Sequence, residues 1–354
     1  MRRAGLGREG GESREEEGQD VPLLLLQCLA TTIIASTCRT TRLPGTEMAA
    51  SSGAPPRVLV LMSPLENMLI RTWKHFFSLY RLDFVLRDQG LVVVAILAAR
   101  KPDSVLNGLV VLIMHILVQM HSFSANDLQD HLAWDEANAL GHFHARYGLI
   151  VSQILVHLPL LPLAVLALIS PHPAHFLLLL YILLFAGYQM QPFRWKHHYV
   201  PSLFINALCL GTIPFLHPYL VLRNDLDLAG ALFSVLFFCY LAFHEVVHQL
   251  AHWGEDDIVS LPSALGLRGA GRTSLAFLLA ALGFAISGLL LVPGHRWAFF
   301  VAIGFTLLRL LLVARADWSK AYFAGLRASW HKSYSLHEGG CYVVLYLFGS
   351  IFQM

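Results

Sequence analysis

One feature recurs along most of the chain: apolar runs that are long enough to cross a lipid bilayer as helices. Inside a bilayer, only helices and closed barrels satisfy every backbone polar group, so helical runs of this length predict a transmembrane bundle. We place nine predicted spans at residues 83–99, 105–124, 148–169, 174–191, 200–221, 227–247, 273–292, 297–314 and 341–353. The predicted fold class is therefore an all-α, polytopic membrane helical bundle.

The composition agrees with this prediction. Only 14% of the residues are charged and 56% are hydrophobic, whereas soluble domains carry about 25% charged residues. The net charge of +2 gives no reason to expect binding to nucleic acid. The cysteines at positions 28, 38, 209, 239 and 341 show no CxxC or paired spacing, which predicts buried thiols and not a disulfide framework or a zinc site.

The first 56 residues differ from the rest of the chain. They begin with the polar, Gly- and Glu-rich stretch "MRRAGLGREGGESREEEGQD", which is typical of disordered segments. The apolar run at 21–36 is short for a span of about 20 residues. We therefore predict an N-terminal extension at 1–56 that lies outside the fold, and a transmembrane domain at 57–354.

Lysine and arginine fall mostly on one side of the predicted topology. Thirteen lie on the side of the N-terminus: Arg57, Arg71, Lys74, Arg81, Arg146, Arg194, Lys196, Arg268, Arg272, Arg315, Lys320, Arg327 and Lys332. The opposite loops carry Arg100, Lys101, Arg223 and Arg296. The positive-inside rule makes the first side cytoplasmic, and we expect the protein in a bacterial cytoplasmic (inner) membrane.

Three polar clusters follow the second, fourth and sixth predicted spans, all on this cytoplasmic side. They are "SANDLQDHLAWDEAN" (124–138), "YQMQPFRWKHH" (188–198) and "FHEVVHQLAHWGEDD" (243–257). Ionisable groups next to a membrane core are costly, so their position at one end of a bundle predicts a single functional site.

The first cluster is acidic. Asn126 and Asp130 share one helical face, Asp127 flanks them, and Asp135 and Glu136 follow. Carboxylates this close repel one another unless a cation offsets them. Hard oxygen ligands of this kind suit Mg²⁺ that carries a phosphorylated substrate. The alternative is a solvated helix end with capping Asp and Asn side chains.

The second cluster is basic and the third contains histidine. Arg194 and Lys196 can clamp a diphosphate, or they can anchor the loop at the cytoplasmic face. His244, Glu245 and His248 fit the HExxH pattern of metal-dependent hydrolases, with His252 on the same helical face. Three ligands on one straight helix do not easily surround a tetrahedral ion. The spacing of His244 and His248 also fits the HxxxH box of membrane di-iron enzymes.

Together the clusters resemble the UbiA superfamily of intramembrane prenyltransferases. Asn126-Asp127-x-x-Asp130 resembles the family's first Asp-rich motif, and Tyr188-x-x-x-Pro192-x-Arg194-x-Lys196 resembles its Y-S-x-P-P-x-R-x-K signature. The stretch "SLPSALG" (260–266) resembles the T-L-P-x-x-L-G that closes the second Asp-rich region. The resemblance covers roughly residues 80–353.

This resemblance implies about nine transmembrane helices around a cytoplasm-facing central cavity. It implies Mg²⁺, a polyprenyl diphosphate donor and a lipophilic acceptor, either aromatic or isoprenoid, that captures the chain once diphosphate departs. The implied catalytic residues are Asp127, Asp130 and Lys196. The implied diphosphate-binding residues are Asn126, Tyr188, Arg194, Lys196, His248 and His252. The implied metal ligands are Asn126, Asp127, Asp130, Asp135, Glu245 and His248.

The sequence departs from the family pattern in two places. Trp134 stands where the last aspartate of the first motif is expected, with Asp135 one residue late. Histidines 244, 248 and 252 stand where the second motif carries aspartates. Imidazole favours Zn²⁺, Fe²⁺ or Mn²⁺ over Mg²⁺, which leaves three interpretations: a different metal, a diphosphate held by protonated histidines, or a lost ionisation step. A terpene cyclase of the same fold, an HExxH hydrolase and a non-catalytic membrane protein remain as alternative functions.

Overall fold

The structure is a computed structural model, and it describes residues 73–99, 105–135, 137–190, 192–254, 260–316, 319–330 and 339–342. These residues form helices and connecting turns, with no strand among them. The first helices are α1 Leu82–Arg87, α2 Gly90–Ala99, α3 Val105–Trp134, α4 Ala139–His157, α5 Leu160–Ile169 and α6 Phe176–Gln189. The remaining helices are α7 Tyr199–Asn206, α8 Ile213–Arg223, α9 Leu228–Ala251, α10 Leu261–Leu291, α11 Arg296–Ala314 and α12 Lys320–Trp330.

Among the described residues, six helical stretches are long and apolar enough to cross a membrane, by length and composition. They are Leu106–Trp134, Ala139–Ile169, Tyr199–Arg223, Leu228–Ala251, Leu261–Leu291 and Pro293–Ala314, and the shorter apolar stretch Pro173–Gln189 joins them. The prediction of an all-α, polytopic bundle is confirmed. The number nine is not: the predicted span 83–99 is divided between α1 and α2, and 343–353 lies outside the described residues. The predicted extension at 1–56 also lies outside them, so that boundary stays a prediction.

Helix α9 lies at the centre of the bundle. In its most apolar window 78% of the residues are buried, more than in any of the other five long stretches. A helix that is apolar on all sides is expected to be surrounded by others. Phe233 of α9 stacks on Phe299 of α11 with the ring centroids 4.2 Å apart. A Cβ atom at Gly288 would overlap the same Phe299 ring, so this small residue lets α10 approach closely.

Two helices bend at glycines in the left-handed region. Gly148 in α4 has φ 81° and Gly266 in α10 has φ 71°. Only glycine adopts such angles without steric cost. The bend at Gly266 makes Ser260-Leu-Pro-Ser-Ala-Leu a separate short helical turn, and the Ser260 hydroxyl accepts a hydrogen bond from the backbone N–H of Ser263 at 3.4 Å. The stretch "SLPSALG" therefore begins and ends at conformational boundaries.

A π-helical segment, Ala207–Thr212, joins α7 to α8. Such segments are uncommon, and they often lie beside functional sites. This one begins directly after Asn206, whose side chain contributes to the site described next.

Candidate active site

The acidic cluster lies on the last turns of α3. This helix continues past the predicted end at residue 124 and stops at Trp134. The Asn126 side chain donates a hydrogen bond to Asp130 Oδ2 at 2.7 Å, as expected for residues four apart on a helix. Asp127 is buried beside them. The structure thus brings together the three first-motif residues.

Each of the two carboxylates has a cationic partner. Lys196 bonds Asp130 Oδ1 through its ammonium group, and both side chains are mostly buried. The Arg81 guanidinium lies 3.3 Å from Asp127 Oδ1. These partners offset the repulsion between the neighbouring carboxylates at this end of the bundle.

The loop after α6 is held against the site by an aromatic ring. A Cβ atom at Gly187 would overlap the Trp195 ring, so the absence of a side chain there lets the loop approach α6. The Arg194 guanidinium lies 5.3 Å from the centroid of the Trp134 ring, a cation–π contact. Burial lowers the pKa of His197, and the positive charges of Arg194 and Lys196 lower it further.

Backbone strain is concentrated around this site. Among the described residues, the non-glycine residues with positive φ are Arg81 (47°), Asp135 (53°), Arg194 (39°) and Asn224 (66°). Such conformations cost about 1 kcal/mol or more and persist where surrounding contacts impose them. Three of these four residues contact or adjoin the acidic helix end, which marks it as a functional candidate.

Asp135 does not join the other acids. It follows the end of α3, its side chain is 97% exposed, and its carboxylate lies 3.8 Å from His131 Nδ1. Trp134, in place of the expected aspartate, contacts the second cluster instead: its ring centroid lies 5.8 Å from that of His197. Glu136 lies outside the described residues.

The opposite wall is built around Glu245 of α9, which is buried. Three neutral donors bond its carboxylate: the Ser202 hydroxyl at 3.0 Å, the Asn206 amide at 2.9 Å and the Gln249 amide at 2.9 Å. The Asn206 amide also donates to the Tyr188 hydroxyl at 3.3 Å. That hydroxyl is near enough to both Glu245 and Asp130 to interact electrostatically with each carboxylate.

The histidines continue this wall along α9. His244 is buried against Phe243, and the rings of His248 and His252 lie edge to face with centroids 4.8 Å apart. Gln249 accepts a hydrogen bond from the backbone N–H of Leu261 at 2.8 Å and thereby ties α9 to the start of α10. In the part of the chain that the structure describes, no three His, Cys, Asp or Glu side chains could together hold a metal ion.

The acidic helix end fits Mg²⁺ better than the histidine wall does. Mg²⁺ typically takes one or two carboxylates and completes its shell with phosphate oxygens and water. Asp127 and Asp130 supply two carboxylates, and the Asn126 amide oxygen is a further hard donor, because only its nitrogen is engaged with Asp130. Glu245 already accepts three hydrogen bonds, and its neighbours on α9 are imidazoles.

Sequence reasoning missed several side chains that complete the site. Arg81 counted only as one of many basic residues, although it pairs with Asp127. Ser202 and Gln249 were not singled out, although both hold Glu245. One signal was available for Gln249, since it lies four residues after Glu245 on the same helical face.

Two solved structures share this architecture. The chain is similar to digeranylgeranylglyceryl phosphate synthase, with a TM-score of 0.61 and 14% identity over 78% of this chain and 98% of that chain. It is also similar to a UbiA homologue from Archaeoglobus fulgidus bound to DMAPP and Mg²⁺, with a TM-score of 0.59 and 14% identity over 77% of this chain and 99% of that chain. No protein-family profile and no curated protein sequence matches the chain.

The chain is therefore an integral membrane protein with the fold of UbiA homologues. The resemblance first seen in the three short motifs is confirmed at the level of the fold. Its acidic helix end and its basic loop lie in contact, as the order of those motifs predicts.

Proposed function

We propose that this chain is a divergent UbiA-superfamily prenyltransferase. It moves an isoprenoid chain from a polyprenyl diphosphate to a lipophilic acceptor, either aromatic or isoprenoid. The observation that carries the proposal is the contact of Asn126, Asp130 and Lys196, at one end of a helical bundle that has the fold of a DMAPP- and Mg²⁺-bound homologue. We propose that this end of the bundle faces the cytoplasm.

The charged residues divide between the metal and the diphosphate. Asp127 and Asp130 would hold Mg²⁺, with the Asn126 amide oxygen as a further ligand. When bound, Mg²⁺ supplies positive charge that stabilises the departing diphosphate. Lys196 and Arg194 bring cations from the facing loop, and Lys196 exchanges Asp130 for a diphosphate oxygen when the substrate enters.

The opposing wall positions the substrate. Glu245 holds Ser202 and Asn206 in place, and Asn206 in turn orients the Tyr188 hydroxyl. Tyr188 thus presents a polar group between the acidic end and the wall, where a diphosphate or the first carbons of the prenyl chain would lie. His248 lies one turn beyond Glu245 on α9, and His252, directly after the end of α9, contacts the His248 ring.

Diphosphate release tests the proposal. The full chain in lipid nanodiscs is incubated with geranylgeranyl diphosphate, Mg²⁺ and a panel of aromatic and isoprenoid lipophilic acceptors, and wild type is compared with Asp127→Asn, Lys196→Met and Asp83→Asn. Asp83 is an exposed acid that pairs with Arg87, which makes it a matched control. We expect Asp127→Asn and Lys196→Met to lower release about 100-fold and Asp83→Asn to leave it within a factor of two.

Other outcomes identify the alternatives. Unchanged release in both site variants, or no release with any divalent metal, contradicts the proposal. Hydrocarbon formed from the diphosphate without an acceptor indicates a terpene cyclase. Zinc-dependent peptide cleavage that is lost in Glu245→Gln but retained in Asp127→Asn indicates the HExxH hydrolase.

A further inference from the structure

Asn138 connects the acidic end of α3 to the start of α4. Its amide nitrogen donates a hydrogen bond to the backbone carbonyl of Asp127 at 2.9 Å, eleven residues earlier in the chain. Its amide oxygen accepts from the backbone N–H of Gly141 at 2.7 Å and so caps the first turn of α4. One side chain therefore makes two separate contacts through two different atoms.

The hydrogen bond to Asp127 is additional to those of the helix itself. Within α3 the carbonyl of Asp127 is the regular acceptor for the N–H of His131, four residues later. A carbonyl oxygen has two lone pairs, so it can also accept from a side chain. The donor from Asn138 comes from outside α3, and it restrains the backbone of the residue whose carboxylate pairs with Arg81.

Asp135 begins the connection between the two helices. It follows Trp134 directly, and its φ of 53° lies in the left-handed region, which aspartate and asparagine enter more readily than most non-glycine residues. Its backbone N–H donates to the His131 carbonyl at 2.9 Å and closes the last turn of α3. Asp135 stands one residue later than the last aspartate of the family motif. In this structure its backbone ends the helix, and its carboxylate is exposed.

The two helices also pack closely at this level. A Cβ atom at Gly141 would overlap the His131 ring, so the absence of a side chain lets α4 approach α3. Leu128 of α3 and Leu140 of α4 are buried in one cluster. We therefore expect the two helices to stay together when the hydrogen bond from Asn138 is removed.

We propose that Asn138 is a positioning residue for the metal site and acts through the backbone of Asp127. The inference rests on the proposed function, in which Asp127 and Asp130 hold Mg²⁺. Hydrogen-bonded neighbours that orient a metal ligand affect metal affinity almost as much as the ligands do. Asn138 restrains Asp127 at its backbone, whereas Arg81 contacts the carboxylate itself.

Two substitutions separate the helix cap from the hydrogen bond to Asp127. Asn138→Ser keeps an oxygen at the N-cap, where serine and asparagine are about equally favourable, but it brings no amide donor. Asn138→Ala removes both contacts. We expect Asn138→Ser to unfold at a temperature close to that of the wild type, and Asn138→Ala at a lower one. Both variants should bind Mn²⁺, the paramagnetic substitute for Mg²⁺, about tenfold more weakly than the wild type.

Electron paramagnetic resonance of the full chain in lipid nanodiscs, titrated with MnCl₂, measures this affinity. The Mg²⁺ concentration that gives half-maximal diphosphate release should rise by the same factor in both variants. Asn107→Ser is the matched control, because Asn107 is an exposed asparagine on the same helix. It lies twenty residues before Asp127, a rise of about 30 Å, and its substitution should change neither quantity.

The outcomes separate this inference from the proposed function. Equal Mn²⁺ affinity in the wild type and Asn138→Ser overturns the inference, and so does a wild type that binds no Mn²⁺. Weaker binding in Asn138→Ala alone also overturns it, because the effect then comes from the cap. If Asn138→Ala does not fold, Asn138→Ser decides the question. If Asn138→Ser binds Mn²⁺ more weakly but the wild type releases no diphosphate, the positioning role stands and the proposed function fails.

Discussion

Gln249 is the side chain through which the stability of the candidate site is best tested. Its amide nitrogen donates to Glu245 Oε1 at 2.9 Å, and its amide oxygen accepts from the backbone N–H of Leu261 at 2.8 Å. The substitution Gln249→Met keeps the length and the unbranched shape of the side chain. It removes both hydrogen bonds, so it tests them with little change in packing.

The expected loss follows from the two bonds. A hydrogen bond to an ionised carboxylate contributes about 1.5–3 kcal/mol and a neutral one about 0.5–1.5 kcal/mol. The sum is about 2–4.5 kcal/mol. Because Gln249 is only half-buried, water can replace part of what is lost. We therefore expect the free energy of unfolding to fall by about 2 kcal/mol.

Equilibrium unfolding of the purified full chain in detergent measures this loss. Gln153→Met is the control, because Gln153 is an exposed glutamine on α4, and it should change the free energy of unfolding by less than about 0.5 kcal/mol. Diphosphate release should fall with Gln249→Met, since the start of α10 is no longer tied to Glu245. If Gln249→Met is as stable as Gln153→Met, the two hydrogen bonds do not hold this part of the site.

Three further predictions concern single positions. Gly187→Ala places a methyl group in the space of the Trp195 ring, so we expect the loop to be displaced and diphosphate release to fall about tenfold. The helical circular dichroism of this variant should remain native-like. Unchanged diphosphate release would contradict the prediction. Gly266→Ala forces a Cβ atom into a left-handed conformation and should lower the free energy of unfolding by about 1–2 kcal/mol, whereas Gly283→Ala, where nothing opposes a Cβ atom, should not. The pKa of His197 is lowered in the folded state, so as the pH falls this imidazole takes up a proton in the unfolded chain before it does so in the folded one. Its contribution to stability is then complete above pH 6.5 and is lost as the pH falls below that value. His197→Gln should unfold with a weaker pH dependence than wild type between pH 7.5 and 5.5, and an identical pH profile would refute the assignment.

The sequence predicts the helices of this fold well because apolar length is a local property. It cannot predict where they end or break when a distant side chain decides. Hydropathy ends the second span at residue 124, and α3 continues through Asp127 and Asp130, whose partners Arg81 and Lys196 come from distant segments that spacing does not reveal. The first predicted span is interrupted beside Gln89, whose side chain bonds α3.

In the candidate site too, local spacing predicts some contacts, whereas contacts between distant residues cannot be predicted. Spacing alone places Asn126 and Asp130 on one face, and the hydrogen bond between them confirms that geometry. Spacing cannot show that Ser202 and Asn206 converge on Glu245, because about forty residues separate the partners in the chain. The contacts of His217 with His115 and His175 are beyond prediction for the same reason, since the three histidines belong to separate segments of the chain.

Glu245 is also the residue on which the HExxH interpretation depends. In a hydrolase of that type, the glutamate must have an oxygen available to take a proton from a water molecule. Here Oε1 accepts from both Ser202 and Gln249, and Oε2 accepts from Asn206. These three hydrogen bonds engage both oxygens of the carboxylate. The geometry instead gives Glu245 the task of holding α7 and the start of α10 against α9. We therefore propose that the HExxH spacing in this chain reflects the packing of one wall of the site, and that Asp127 and Asp130 on the other wall hold the metal ion.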